Sequence, residues 1–543
     1  MPAREISTKP YLDQKSGTAG LRKKVVVFQQ PHYLENFLQA IFDSVPALKG
    51  GLLVIGGDGR YHNRDAILTA ISMAAANGVS RLIVGQGGLL STPAASHLIR
   101  AHQAQGGFLF TASHNPAGPD GDFGVKFNVA GGGQASEALT DRIYEITKTL
   151  TRYRVWDDAD IDLDRRGKQT LGEMAIEIVD CVDDYAALMQ RLFDFDRIRD
   201  WLKRGNTLRF DAMHAVTGPY AQRILVEQLG APPNSIQNAT PLQDFGGGHP
   251  DPNLIYGKPL VDLAFAENGP ALCGASDGDG DRNMILGHGI FISPGDSLAM
   301  LAAHLTSLPG YRHGLKGIAR SMPTCRAADQ VARTLDIPLH ETPTGWKFFC
   351  NLLDADQATI CGEESFGTSS SHAREKDGLW AVLAWLNVLA VTQQSVREIA
   401  QTHWSRFGRH YYARHDYEDL STNAAESVMQ SLRDALPALT GQALGNWTVS
   451  AADEFAYRDP IDGSVSTRQG LRIVFGEQAR IILRLSGTGT KGATLRLYLE
   501  RYERDAPSLD WKTADALAPL AGVAERVLRI AELTGRRAPS LVT

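Results

Sequence analysis

Residues 108–128 read FLFTASHNPAGPDGDFGVKFN. Within them Ser113 offers a hydroxyl nucleophile, His114 an adjacent imidazole and Lys126 an ammonium, a set suited to covalent catalysis at serine. The same residues could instead make a polar turn closed by an Asx bond, with a serine of no chemical consequence. The apolar run Phe108, Leu109, Phe110 predicts the end of a buried strand. Asn115-Pro116 and the glycines that follow predict a long irregular loop carrying all three groups. Loops beyond the carboxyl ends of strands are where α/β proteins bind ligands.

A second cluster is SDGDGDR at 276–282. Asp277, Asp279 and Asp281 alternate with glycines, and carboxylates so close repel unless a cation lies between them. All-oxygen ligands suit a hard divalent ion, and magnesium is the expected one. A calcium-binding EF-hand fails on register: with Asp277 first, the sixth position is Arg282 and the twelfth His288. The bland alternative is a solvated acidic turn. Three ligands leave magnesium short of six, and a phosphate oxygen could supply another.

CGEESFG at 361–367 gathers the acceptors Glu363, Glu364 and Ser365 after an apolar strand, which suits a polyol. Ordinary capping acids at a helix start are the alternative. LSGTGTKGA at 485–493 is flanked by Arg484 and Arg496. Gly487 and its small neighbours let backbone amides approach an anion, and Ser486, Thr488 and Thr490 add hydroxyls, so the segment reads as a phosphate cradle. It is not a P-loop, because Ala493 stands where the lysine belongs and a strand follows. A glycine-rich hairpin is the other reading. Trp380 and Trp385, on an apolar helical face, are expected in a core.

The elements that must position these groups follow from periodicity. Strands near 52–55, 81–84 and 108–110 alternate with helices near 65–77 and 94–103. The same rhythm returns at 208–210, 272–275, 317–319 and 358–361, each strand running into a polar loop. The last part has closely spaced strands at 471–475, 480–485 and 494–500 with helices near 422–436 and 514–534, an α+β pattern. The expected fold is therefore α/β, with three similar mixed-sheet domains (1–190, 191–303, 304–405) and a C-terminal α+β domain (406–543). The chain of 543 residues with 43% hydrophobic residues suffices for several cores, and a net charge of −6 argues against a nucleic-acid partner. Five cysteines without a C-x-x-C suit free thiols and a cytoplasmic location. No signal peptide or membrane span is expected.

Taken together, these segments resemble the phosphoglucomutase group of the α-D-phosphohexomutase superfamily, over nearly the whole chain. Gly17 to Arg22 matches its amino-terminal motif, and Thr111 to Lys126 its phosphoserine loop. Asp277 to Arg282 is similar to its magnesium loop, and Pro343 to Lys347 to the loop that orients the hexose. Gly362 to Gly367 resembles the sugar-hydroxyl loop, and Arg484 to Arg496 the carboxy-terminal phosphate loop. The resemblance implies four domains around one central cleft, and interconversion of glucose 1-phosphate and glucose 6-phosphate through glucose 1,6-bisphosphate. It implies that Ser113 carries a phosphate and shares magnesium with Asp277, Asp279 and Asp281. It implies that Lys126, with His114 nearby, serves proton transfer. Thr18, Arg22, Arg282, Thr344, Gly345, Glu363, Ser365 and Lys376 would hold the sugar phosphate, with Arg484, Ser486, Gly487, Thr488, Thr490 and Arg496 as its phosphate seat. Lys491 departs from the small residue expected there. The implied partners are hexose phosphates, with no nucleic acid or membrane, and a monomer is expected. A phosphomannomutase or aminosugar phosphomutase, a phosphatase with a phosphoserine intermediate, and a silent scaffold are the rivals.

Overall fold

The computed structural model describes residues 3–17, 19–157, 160–486 and 492–543. Its backbone is organised around four principal sheets. The first has seven strands in the order Leu21–Lys24, Asp122–Val129, Gly106–Phe110, Leu52–Gly57, Arg81–Leu89, Met174–Val179, Gly167–Leu171. The second runs Ile236–Gln237, Leu208–Asp211, Leu272–Ser276, Asn283–Gly287, Ile290–Ile292, and the third Leu339–Thr342, Ile318–Ser321, Ile360–Glu363, Gly367–Ser370.

One motif recurs in all three. A buried strand pairs in parallel with one neighbour, leaves the sheet through a polar loop, and is followed by an antiparallel strand on its other side. Gly106–Phe110 returns as Asp122–Val129, Leu272–Ser276 as Asn283–Gly287, and Ile360–Glu363 as Gly367–Ser370. The three expected site loops thus occupy the same topological place. This is why each sheet is mixed and the three α/β units are alike.

The fourth sheet is antiparallel throughout: Ala451–Glu454, Leu471–Phe475, Ala479–Ser486, Ala493–Glu503, Arg409–Leu420, Leu541–Val542. The helices Thr422–Leu439 and Thr513–Leu528 bury Leu432, Leu436, Leu517 and Leu520 in its core. Three elements differ from the sequence reading. The long loop ends at Gly121, and Lys126 sits on the strand Asp122–Val129, where Phe123, Val125 and Phe127 alternate into the core. The expected helix over 514–534 is broken at Arg529, which takes a left-handed conformation. The strand Arg409–Leu420, unforeseen because charges interrupt its apolar pattern, is the longer of the two pairing partners of the fourth sheet's core strand Ala493–Glu503.

Trp380 and Trp385 lie in the helix Gly378–Thr392, fully buried, and donate to Tyr311 Oη and Ser297 Oγ (both 2.8 Å). That settles them as core residues whose N–H groups are satisfied. The five cysteines are free. Among the described residues no single helix is long and apolar enough to cross a membrane.

The helix Gly378–Thr392 is started by Asp377. Its carboxylate accepts from Trp380 N (3.0 Å), Tyr185 Oη (2.7 Å) and His372 Nε2 (2.9 Å). Asp377→Ala removes the cap and strands the buried Tyr185 hydroxyl. A stability loss of about 2–4 kcal/mol is expected, read as a lower thermal midpoint than that of the wild type.

Candidate active site

The phosphoserine-like loop is held from below by a buried ion pair. Arg60 Nε donates to Asp58 Oδ2 (2.8 Å), and both side chains are fully excluded from solvent. Thr111 Oγ1 donates to the same Asp58 oxygen (2.5 Å), Ser113 N donates to Thr111 Oγ1 (2.8 Å), and Arg60 Nη2 donates to the Ser113 carbonyl (2.7 Å). These bonds hold Ser113 at φ 53°, a left-handed conformation that costs a non-glycine residue about 1–2 kcal/mol. Asp58 follows the strand Leu52–Gly57 in the run Gly-Gly-Asp-Gly-Arg, a segment the sequence marks only by the apolar strand before it. A carboxylate and a guanidinium in that position were the available signal.

Ser113 Oγ donates to Asp277 Oδ2 (2.7 Å) and lies 3.3 Å from His114 Nδ1. Asp277, Asp279 and Asp281 are all buried and present ligand oxygens within 4.8 Å of one another. Asp277 Oδ1 is occupied by the backbone N–H groups of Asp281 (2.8 Å) and Arg282 (3.0 Å), which fixes the loop. Oδ1 of Asp279 and Oδ1 of Asp281 are buried without a hydrogen-bond donor. Convergent, unsatisfied carboxylate oxygens beside a serine hydroxyl fit a hard divalent cation. Thr92, unforeseen from sequence, braces the loop through its backbone N (2.9 Å to the Asp279 carbonyl) and its Oγ1 (2.8 Å to Asp279 Oδ2).

Lys126 and Lys376 supply cationic charge to this cluster. Lys126 Nζ is 2.7 Å from Asp279 Oδ2 and 3.6 Å from Asp281 Oδ2, and Lys376 Nζ is 3.1 Å from Asp281 Oδ2. Burial alone would lower the Lys126 pKa, but Asp279, Asp281 and Glu375 outweigh it and hold the ammonium above its ordinary value. Burial likewise pushes Asp279 up, yet Lys126 and Lys376 keep it below the usual carboxylate range. Burial and the Asp281 and Asp279 charges push Asp277 well above that range. His114 is pulled well down by burial and by Arg282 and Arg22, so its imidazole is neutral.

The remaining groups come from all four sheets. Arg22 lies on the strand Leu21–Lys24, paired opposite Gly124 and under the field of Asp279 and Asp281. Gly20 takes φ 96°, and a Cβ there would sit 2.4 Å from the Val125 carbonyl, so only glycine allows this close approach. Arg282 pairs with Asp251 (2.9 Å) and lies 3.4 Å from His114 Nε2. Gly345 N donates to Glu363 Oε1 (2.8 Å), joining two of the expected sugar loops, and Thr344 Oγ1 beside it is buried without a partner. Ser365 is half-buried between Glu363 and Gly367. Glu364 points elsewhere, toward the fourth sheet, where Tyr498 Oη donates to it (3.2 Å).

In the fourth sheet Arg484 stands directly opposite Arg496, and Arg496 opposite Asp416. Two like charges face to face across strands are destabilising unless an anion joins them. One carboxylate, Asp416, lies 3.8 Å from Arg496 Nε and 3.0 Å from Arg414 Nε, so it is shared between two cations. Ser486 closes the strand Ala479–Ser486 beside this row. Thr18, Gly487, Thr488, Thr490 and Lys491 lie outside the described residues.

Comparison with known proteins decides the family. Residues 13–154, 183–289 and 294–407 match the alpha/beta/alpha domains I, II and III of phosphoglucomutase/phosphomannomutase, and 409–540 match the phosphoglucomutase-1 C-terminal domain. The chain belongs to this family. A phosphoglucomutase of Rhizobium radiobacter is 55% identical over 538 residues, 99% of either chain. Phosphoglucomutase-1 of Oryctolagus cuniculus is 50% identical over 558 residues, again covering 99% of each. The open-form crystal structure of pp63/parafusin, a phosphoglucomutase from Paramecium, superposes with a TM-score of 0.92 at 46% identity, covering 100% of this chain and 99% of that one. The chain is thus an enzyme of the phosphoglucomutase family, an isomerase that moves a phosphoryl group, with a buried carboxylate triad fit for its metal ion.

The family's two central loops meet at Gly278, where a Cβ would lie 2.3 Å from the Ser113 carbonyl. Gly278→Ala forces the serine and aspartate loops apart. A displacement near 1 Å is expected to lower the mutase rate by about 100-fold, measured in a coupled assay, with little change in the thermal midpoint.

Proposed function

We propose that the chain interconverts α-D-glucose 1-phosphate and glucose 6-phosphate through a phosphoserine at Ser113 and enzyme-bound glucose 1,6-bisphosphate. The observation that carries this reading is the Ser113 hydroxyl 2.7 Å from Asp277 within a buried carboxylate triad, a nucleophile placed directly against a cation site. Magnesium held there by Asp277, Asp279, Asp281 and a phosphoserine oxygen would stabilise charge on the phosphoryl oxygens as a Lewis acid.

The substrate's phosphate is seated at the Arg484–Arg496 row, whose uncompensated positive charge suits a dianion. Thr344, Glu363, Ser365 and Lys376 orient the ring so that its 6-hydroxyl faces the phosphorylated Ser113. The hydroxyl oxygen bonds to phosphorus as the bond from phosphorus to Ser113 Oγ breaks. Lys126 gives its proton to the leaving serine oxygen and recovers one from the attacking hydroxyl, a role suited to an ammonium kept charged. Arg22 and Arg282 add positive charge beside the transferring group. The bisphosphate then turns over, its 6-phosphate takes the arginine row, and the serine recovers the 1-phosphate. Because both ends visit the same seat, Glu363 and Ser365 must accept hydroxyls in either orientation.

The C-terminal match to the phosphoglucomutase-1 type and the name of the Rhizobium radiobacter relative favour glucose over mannose. The free thiols are in keeping with a reducing compartment such as the cytoplasm. Ser113→Ala removes the phosphoryl carrier. Its turnover with bisphosphate supplied should fall by at least about a thousandfold. Intact mass after incubation with glucose 1,6-bisphosphate should show one added phosphoryl group in the dephosphorylated wild type and none in the variant. Normal turnover in the variant would overturn the covalent route.

A further inference from the structure

The consecutive glutamates at the end of Ile360–Glu363 leave in opposite directions. Glu363 meets Gly345 of the hexose loop. Glu364, 3% exposed, accepts from Ser321 Oγ (2.9 Å) on one oxygen and from Tyr498 Oη (3.2 Å) on the other. Ser321 belongs to the third sheet and Tyr498, 1% exposed, to the fourth. Tyr498 lies two residues from Arg496 on the same face of its strand, and its hydroxyl accepts from Arg484 Nη1 (3.4 Å). A continuous chain therefore runs Ser321, Glu364, Tyr498, Arg484, from the sugar-loop domain into the arginine row.

The electrostatics agree with the geometry. A buried carboxylate whose donors are neutral hydroxyls needs cations close by. Glu364 has two across the domain boundary, where its charge favours the cationic forms of Arg414 and Arg484. Arg484 in turn needs a tether, because Arg496 opposite repels it. Its described tethers are the Gln469 carbonyl (3.1 Å from Nε) and the Tyr498 hydroxyl. The Ser321–Thr324 turn beneath is gripped from the fourth sheet as well, with Arg480 donating to the carbonyls of Met322 (3.2 Å) and Thr324 (2.8 Å).

We propose that Glu364 and Tyr498 are positioning residues that aim Arg484 at the non-reacting phosphate and tie that aim to the loop holding the sugar. Neither touches the substrate; each acts through Arg484. The inference deepens the proposed function and rests on its reading of the Arg484–Arg496 row as the phosphate seat.

The test is steady-state kinetics with glucose 1-phosphate on magnesium-loaded full-length enzyme. Tyr498→Phe should raise KM about two- to tenfold, the equivalent of one lost hydrogen bond, with kcat within about twofold. Glu364→Ala should raise KM similarly, and the double variant should be no worse than the poorer single, because both cut one chain. Glu364→Gln keeps an oxygen toward Tyr498 and should recover most of the KM that Glu364→Ala loses, which also covers failure of the alanine variant to fold. A purely structural role would lower the thermal midpoint and the active fraction with KM unmoved. That result, or multiplicative effects in the double variant, overturns the proposal. Arg484→Ala separates the two claims. If it raises KM while Tyr498→Phe does not, only the positioning role fails. If it leaves KM unchanged, the phosphate seat is elsewhere and both fall.

Discussion

Three carboxylates buried against a serine set the terms for the rest of this molecule. With oxygens within 4.8 Å, each ionised pair of Asp277, Asp279 and Asp281 repels by roughly 3 kcal/mol or more at an effective dielectric of about 20. Such a cluster survives only where the fold brings compensating charge to it. Lys126 arrives from the first sheet and Lys376 from the loop after the third, while the backbone N–H groups of Asp281 and Arg282 hold Asp277. The serine, the aspartate loop and the two lysines therefore compensate one another across domain boundaries.

The repeated hairpin explains how three domains meet that demand. Each unit presents the loop after one parallel strand, at the same place in its sheet, so three loops converge with serine, carboxylates and sugar acceptors at their tips. The fourth domain contributes the opposite charge. Its arginine row is a frustrated arrangement without an anion, just as the triad is without cations. A substrate carrying a phosphate at one end and a hydroxyl at the other is complementary to both poles at once. That polarity, with one positive seat and one serine–carboxylate site, is the ground for the proposed turn-over of a bisphosphate.

The chemistry was legible in the sequence where polar residues follow directly on an apolar strand. Ser113, the three aspartates and Glu363 stand out because nucleophilic and ionisable residues crowd the end of a buried strand, where turns and caps are the competing reading. The strands and helices of the three α/β units were legible for the same reason, as periodic apolar runs. What stayed hidden were residues whose meaning lies in a distant partner. Asp58 and Arg60 look like a loop, Thr92 like a helix start, and Tyr498 like one more aromatic in a strand. Arg409–Leu420 escaped because its inward positions carry Arg414 and Asp416, which pattern reading assigns to solvent. Lys126 stands out in the sequence as an ammonium, but its ion pair does not, since Asp279 lies 153 residues away in the chain.

In the proposed mechanism the serine and the aspartate triad form one cation site whose last ligand is the phosphate on Ser113. Magnesium titration by calorimetry on phosphorylated wild type, dephosphorylated wild type and Ser113→Ala tests it most directly. The tightest binding is expected for the phosphoenzyme, with the other two forms weaker by about tenfold or more, the equivalent of one charged ligand. Equal affinity in all three would contradict it, since the carboxylates would then hold the ion without the serine and the link between metal and phosphoryl transfer would be lost.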